Sequence, residues 1–523
     1  MSAPQGDGAS AGSSLTEMPP PPVSEQEQHL WHRLNARMII VRPIHEIVGF
    51  LPVLAVLVFS GGGDIQRLWW GLAGIGMLLL RGLLVWAVTT YRVTEEQVEL
   101  RDGLLSRRKR SVRRSRIRTV EANAKFGHRM FGLAEVRIGT GEHEQKRGGT
   151  FNLDAVTAAE AERLRKGLLR RKQASQSVHD QPAVSESTTD KSGRELAGFD
   201  LAWLRYAPLT LSGLAAVGAL VGVTFRTLDE LNLEPSRIGT IRDVFDWVNN
   251  SPTLEVIGVS VVAVVVLSTI GSLLGYVFGF WNYRLTREPD GTLRVRRGLF
   301  TTRSVSIEEA RLRGVVLRQQ LLLRAGGGGR LVAISTGLGS RGESNLLLPP
   351  APVAEANRVA GAALGVTDSP LAVPLRSHPR AALRRRLVRA TVPVLSLGAA
   401  LGVASLLAGA PAWQWEAALC LLPFAMLLAV DRYRSLGHQI TSHYLVTRSG
   451  SLRRQTAAVQ REGIIGWRVR RSFFQRRARL VTVTAITAAG AFEVIDVPES
   501  DGVSLAEQAL PGVLGPFVLR SHD

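Results

Sequence analysis

Cysteine and lysine are almost missing from this chain. Its single cysteine, Cys420, lies inside an apolar run, which excludes a disulfide framework or a cysteine metal centre within one chain. Of 64 basic residues six are lysines (Lys109, Lys125, Lys146, Lys166, Lys172 and Lys191), so the positive charge is nearly all guanidinium. Arginine is the better bidentate phosphate binder, although an arginine-rich genome gives the same bias. No GxxxxGK[ST] phosphate loop, HExxH pair or nucleophile elbow occurs. Gly326 to Gly329 run into Arg330 without a Lys-Ser/Thr pair and read as a hairpin turn. His128, His438 and His443 lie near basic segments without metal-type spacing to carboxylates or cysteine, and read as surface or hydrogen-bonded histidines. These patterns point to no enzyme, metal or cofactor. Residues 1–30 hold four acids and no Lys or Arg, so the expectation is a disordered cytoplasmic tail and no cleaved signal peptide.

What is present is segregated. Hydrophobic residues make up 45% of a chain whose formal net charge is +20, and the apolar residues collect in six segments. These form three pairs: Ile44 to Ser60 with Trp69 to Val88, Tyr206 to Phe225 with Leu254 to Phe280, and Leu387 to Ala410 with Trp413 to Val430. A membrane-crossing helix needs about 20 residues, so the first and last are short. Pro52, Pro393 and Pro423 are expected to kink their helices. Arg81 is the one charge deep in a span and is placed to snorkel toward headgroups. Gly218 and Gly222, Gly271, Gly275 and Gly279, and Gly398 and Gly402 recur four apart, a spacing that lets helix backbones approach. Trp69, Trp70, Trp281, Trp413 and Trp415 fall at span ends, where indoles prefer to sit.

Arginines flank the pairs on one side only, from Arg33, Arg37 and Arg42 to Arg432 and Arg434, while the connections within pairs carry few. The positive-inside rule then predicts both termini and all large polar segments in the cytoplasm of an inner-membrane protein. The longest outer connection, Thr227 to Pro252, contains a short amphipathic helix candidate at Ile238 to Val248.

The polar segments repeat. Gly103, Ile117 and Arg129 are separated by fourteen and twelve residues, and Gly298, Leu312, Arg324 and Gly450, Ile464, Arg476 keep both intervals. Each copy reads as strand, turn, strand, then alternating strands such as Arg330 to Thr336 and Arg479 to Thr487, then a helix from Asp154, Ala351 or Ser504. That succession describes a small β-barrel or sandwich closed by a C-terminal helix.

With span pairs followed by Y-x-[LV]-T at Tyr91 and Tyr283, a later Gly, and basic stretches ending in Phe126 to Val136 or Ser472 to Val483, the chain resembles the bacterial pleckstrin-homology-like membrane proteins. The resemblance covers nearly everything after residue 30. It implies an α+β membrane protein with six transmembrane helices in three hairpins, each followed by a PH-like β-barrel or sandwich with a C-terminal capping helix, and it implies no enzymatic activity. The resulting division is a tail (1–30), pair 1 (31–90), PH-like domain 1 (91–172), a linker (173–195), pair 2 (196–281), domain 2 (282–366), pair 3 (367–431) and domain 3 (432–523). In the third copy Tyr444 is only six residues before Gly450, so its first strand is expected within Arg432 to Ile440.

Candidate binding residues lie in the two densest basic runs: Arg107, Arg108, Lys109, Arg110, Arg113, Arg114 and Arg116, and Arg468, Arg470, Arg471, Arg476 and Arg477. Near the inner leaflet each such charge gains about 1 kcal/mol from anionic lipid. The runs therefore predict a binding or scaffold module for anionic lipid or an acidic partner, the small-residue helix faces serving the bundle and a second membrane protein of the same family. The charges serve topology and solvation equally well. A transporter is the competing class, resting on Arg81 alone. Nucleic acid fits the pI of 11.1 and Trp467, Phe473 and Phe474 among the arginines, but the bundle pins these surfaces to a bilayer.

Overall fold

The computed structural model describes residues 31–38, 65–94, 96–103, 108–117, 119–139, 151–174, 193–210, 212–230, 239–335 and 345–510. Within them one succession of elements recurs three times. In the first module a short strand β1 (His32–Arg33) comes before helix α1 (Ile65–Val88). Strands β2 (Thr90–Val93), β3 (Gln97–Asp102) and β4 (Arg108–Arg113) follow, then a 3-10 turn at Arg114–Arg116. The second half comprises β5 (Thr119–Ala124), a short helix α2 (Phe126–Met130), β6 (Leu133–Gly139), β7 (Phe151–Thr157) and the closing helix α3 (Ala158–Ala174).

The second module repeats this with β8 (Arg194–Gly198), helices α4 (Ser212–Glu230), α5 (Gly239–Asn250) and α6 (Thr253–Phe280), strands β9 (Arg284–Arg287), β10 (Thr292–Arg297) and β11 (Thr302–Glu308), then β12 (Leu312–Gln320), α7 (Leu321–Ala325), β13 (Gly328–Ser335), β14 (Leu346–Pro352) and α8 (Val353–Leu364). The third has α9 (Arg380–Ala408), α10 (Trp413–Cys420), α11 (Leu422–Arg434), β15 (Gly437–Ile440), β16 (Tyr444–Ser449), β17 (Arg453–Gln460), β18 (Ile464–Arg470), α12 (Phe473–Arg477), β19 (Leu480–Thr487), β20 (Gly490–Pro498) and α13 (Glu499–Ala509). The first strand after hairpin 3 is thus Gly437–Ile440, within the stretch expected from the displaced Tyr444.

The sheets do not respect the module boundaries. The second half of module 1 joins the first half of module 2 in one seven-stranded sheet, β7-β6-β5-β11-β10-β9-β8. Likewise β14-β13-β12-β17-β16-β15 unites modules 2 and 3, leaving a four-stranded sheet, β1 to β4, at one end and a three-stranded sheet, β18 to β20, at the other. The expected barrel after each hairpin is therefore assembled from shared sheets. The physical reason is that β5 and β12 would otherwise be edge strands with a row of unpaired amides and carbonyls. Residues 194–195, grouped from sequence with the linker, and 196–206, grouped with pair 2, belong to this β structure: β8 pairs with β9, and Trp203 and Tyr206 are buried in the core with Tyr283, Leu293 and Leu331.

The first junction is sealed by a buried ion cluster. The Arg165 guanidinium on α3 is 1% exposed and donates to Glu288 and to Ser306 Oγ at 3.1 and 3.0 Å, both in module 2. Arg294 bridges back to Glu162 at 3.2 Å.

Among the described residues three helices are long and apolar enough to cross a membrane: Thr253–Phe280, Arg380–Ala408 and Trp413–Arg434, with Ser212–Arg226 a shorter apolar helix. The span from Ile44 to Ser60 lies outside the described residues, and that from Trp69 falls within α1. The third span was expected to begin at Tyr206. It begins at Ser212, because the chain turns through 3-10 segments at Leu201–Tyr206 and Pro208–Thr210 and Pro208 has no amide to donate. Pro423, in the first turn of α11, separates it from α10, whereas Pro393 sits within an uninterrupted α9.

The glycines four apart only partly mediate helix contact. A Cβ on Gly271 would meet Ala216 Cβ at 3.6 Å and one on Gly398 would meet Leu419 at 3.0 Å, but those on Gly218, Gly222, Gly275, Gly279 and Gly402 would enter open space. The tightest approach is at Gly213, which the spacing missed: its amide donates to Ser272 Oγ at 2.8 Å, and a Cβ there would lie 1.7 Å from the Ser268 carbonyl oxygen. Gly326 to Gly329 are a helix-to-strand turn instead of a hairpin turn, with Gly327 at φ 73°. The closing helices start at Ala158, Val353 and Glu499. Asp154 and Ala351, expected to open them, are still in strands, and Ser504 is well inside its helix.

The anchor glycines of the repeat have one shared cause. Gly103, Gly298 and Gly450 adopt φ of 110°, 110° and 99° at the turn before the last strand of each module's first half, a region closed to L side chains. A Cβ on Gly450 would sit 2.1 Å from the Arg453 carbonyl oxygen. Gly450→Ala is expected to destabilise the third module by about 2 kcal/mol, read as a lowered thermal midpoint of the detergent-solubilised chain.

Candidate functional site

The first basic run is largely engaged within its own module. Lys109 and Arg92 both reach the Glu99 carboxylate, at 2.9 and 2.7 Å. The hydrogen bond from Lys109 holds this carboxyl below its ordinary range, outweighing the opposite effect of burial, with Arg92 adding to it. Arg110 lies 3.5 Å from Asp102. Arg114 donates to the carbonyl oxygens of Thr94 and Gly167 at 3.3 and 2.6 Å. Arg113 is exposed. Arg107 lies outside the described residues, and Arg108 and Arg116 are placed by backbone only, in β4 and the turn after it.

The third-module run is different. Ser472 opens α12 with a capping box, its hydroxyl accepting from the Gln475 amide at 3.3 Å while the Gln475 side chain accepts from the Ser472 amide at 2.9 Å. The helix so fixed presents Phe473 and Phe474, 73% and 65% exposed, with rings edge to face at 5.6 Å. Arg468, Arg470, Arg476 and Arg477 are exposed around them, and Arg471 pairs with Glu499. By contrast Arg461 is structural, its guanidinium donating to the carbonyls of Thr441, Ser442, Gln508 and Ala509.

The equivalent short helices of modules 1 and 2 show where α12 sits. On α2, Arg129 donates to the Leu299 carbonyl at 2.6 Å, and Phe126 lies 5.9 Å from Phe300, itself 4.9 Å from Phe278 in the last turns of α6. On α7, Arg324 reaches Asp431 at 2.6 Å, beside the end of α11. Both helices thus lie against the foot of the following hairpin. On α12, by contrast, Phe473, Phe474 and Arg476 meet no such apolar helix among the described residues.

Its height is set by its own hairpin. Arg385 and Arg386 at the base of α9 both donate to Asp496 on β20, which is fully buried and also accepts from Gln475 at 2.9 Å. This four-residue knot escapes sequence reading; the one local signal is the Ser472-x-x-Gln475 cap. Nearby, His378 stacks edge-on to His438 at 5.2 Å. Burial, reinforced by His438 and Arg386 against the smaller pull of Asp496, brings His378 down to about 4. Among the described residues no group of three or more His, Cys, Asp or Glu is arranged to hold a metal ion.

Comparison with known proteins follows the same threefold division. The family model described as bacterial PH domain matches residues 46–172, 220–365 and 392–511. The chain belongs to the bacterial PH domain family. The second and third matches start within α4 and α9, and all three end at a closing helix, so the unit of this family in the present chain takes in apolar helix and PH-like module together. The chain is also similar to the UPF0699 transmembrane protein YdbT of Bacillus subtilis (strain 168), 22% identical over 482 residues, 90% of this chain and 94% of that protein. No solved structure matches. The chain is thus a membrane protein carrying three bacterial PH domains.

Two outcomes test this geometry. Asp496→Ala leaves two guanidinium groups without their carboxylate and is expected to cost about 3 kcal/mol, seen as a lower thermal midpoint. His378, protonated in the unfolded chain at its ordinary value near ~6.5, contributes stability that is complete above that pH and is lost as pH falls toward its folded value of about 4. The midpoint should therefore drop between pH 6.5 and pH 4.5 by the equivalent of up to roughly 3 kcal/mol, and His378→Leu should flatten that slope.

Proposed function

We propose that the chain is a non-enzymatic binding module of the inner membrane, with three transmembrane hairpins, its termini and PH-like modules in the cytoplasm, and an anionic-lipid site at α12. The observation that carries this reading is the exposure of Phe473 and Phe474 beside Arg470, Arg476 and Arg477, on a helix tied by Asp496 to the base of α9. Aromatic rings flanked by guanidinium groups suit the boundary between acyl chains and phosphates. The rings enter the apolar side while arginines engage headgroups bidentately. Orientation is supported by the repeated one-sided flanks of arginine.

The first basic run contributes less to this reading, because Glu99, Asp102 and two backbone carbonyls already engage Lys109, Arg110 and Arg114. A transport pathway finds no specific support: the side chain of Arg81 lies outside what the structure describes.

The test uses the full chain carrying Cys420→Ser and Phe473→Cys, labelled with an environment-sensitive fluorophore and reconstituted into vesicles. The label should shift to the blue and be quenched by brominated acyl chains when phosphatidylglycerol is present, and much less in phosphatidylcholine alone. Arg476→Ala with Arg477→Ala should weaken that lipid preference about thirtyfold, at about 1 kcal/mol per charge. A label equally solvent-exposed in both lipids would overturn the reading.

A further inference from the structure

The three modules form an array with two loose ends, and those ends are of matching kind. At both internal junctions the first strand of one module's second half pairs antiparallel with the last first-half strand of the next module, the counterpart of β4. The register is the same at each: Thr119 faces Ile307 at the first and Gly314 faces Val459 at the second. In both, the residue two after the anchoring Ile117 or Leu312 meets the residue five before the next anchor, Leu312 or Ile464. Neither junction sets like charges opposite one another; Arg303 faces Asn123, Arg318 faces Gln455 and Arg454 faces Gln319.

Among the described residues β4 pairs with β3 alone and β18 with β19 alone. These are the fourth strand of module 1 and the first second-half strand of module 3, the two strand types that pair internally. The shared register would set Gly466 opposite Val112 and Trp467 opposite Ser111. It would also set Arg468 opposite Arg110 and Arg470 opposite Arg108. Like charges directly opposite destabilise an antiparallel pair, so a second copy of this chain is the wrong occupant. Charged edges of this kind are a common device against self-pairing, and here they stop a head-to-tail contact from propagating into a filament.

We infer that the β4 edge, Arg108–Arg113, receives a strand from a PH-like module of a different polypeptide, one carrying Asp or Glu at the positions facing Arg108 and Arg110. Strand addition supplies the missing ladder of backbone hydrogen bonds and the acidic side chains supply selectivity. This goes beyond the lipid site, which lies on α12 at the other end of the array.

A charge-reversed copy of the chain serves as the probe. One full-length copy carries Arg468→Glu, Arg470→Glu and Gly466→Cys; the other keeps its native β4 arginines and carries Val112→Cys; both carry Cys420→Ser. A Cβ on Gly466 has open space around it. Mixed in detergent under mild oxidation, the two should form a disulfide-linked heterodimer roughly tenfold more than the same pair with Arg468 and Arg470 retained, with the yield falling as salt rises. The reciprocal pair, Arg108→Glu and Arg110→Glu against native β18, should cross-link alike, which covers a failure of the first variant to fold. Equal cross-linking with all arginines in place would make a second copy the occupant and overturn the inference. So would the lack of a cross-link from both reversed pairs in chains that retain their thermal midpoint.

Discussion

The backbone of an edge strand needs a partner, and that requirement organises this molecule. A PH-like module here is two half-sheets joined by a 3-10 turn, and each half exposes a strand on the side facing its neighbour. Completing one half-sheet with strands from the next module removes those edges at both internal boundaries in a single register. The repeat period of the sequence is therefore also a pairing period: a module inserted or lost as a whole would preserve the register, whereas a single-residue slip in β5 or β12 would turn every side chain to the wrong face.

Buried and half-buried ion pairs then attach this ladder to the apolar helices and to itself. Arg165 with Glu288 ties the closing helix of module 1 to module 2, Arg324 with Asp431 ties module 2 to the end of hairpin 3, and Asp496 receives both arginines at the base of that hairpin. Such pairs add little net stability over apolar replacements, but losing one partner is costly. Their value lies in position: they set the height of each β module relative to the apolar helices, and so decide which surfaces reach lipid.

Much of the architecture is legible in the chain. The spacing of Gly103, Gly298 and Gly450 from their anchors is visible because a positive-φ turn admits glycine almost alone. The apolar helices are visible because bilayer thickness sets their length. The sharing of sheets is hidden, since β5 and β12 alternate like any strand and nothing local tells whether the neighbour is within the module. The same limit applies to the candidate site. Arginine counting ranks the first basic run highest, yet Glu99, on the neighbouring strand β3 opposite Ser111, pairs with Lys109 and neutralises part of it. Phe473 and Phe474 look like strand interior from their neighbours and are exposed because the capped turn at Ser472 takes them out of the sheet.

The divided half-sheets also constrain how a nascent chain can mature. When the ribosome has delivered Phe151–Thr157, the first module has all its own strands, yet the outer edge of Thr119–Ala124 has no mate until Thr302–Glu308 emerges. Between those events the chain must also deliver the apolar helices Ser212–Glu230 and Thr253–Phe280. The β structure consequently closes in steps paced by synthesis of those helices, and an exposed strand during each pause is a natural client for a chaperone.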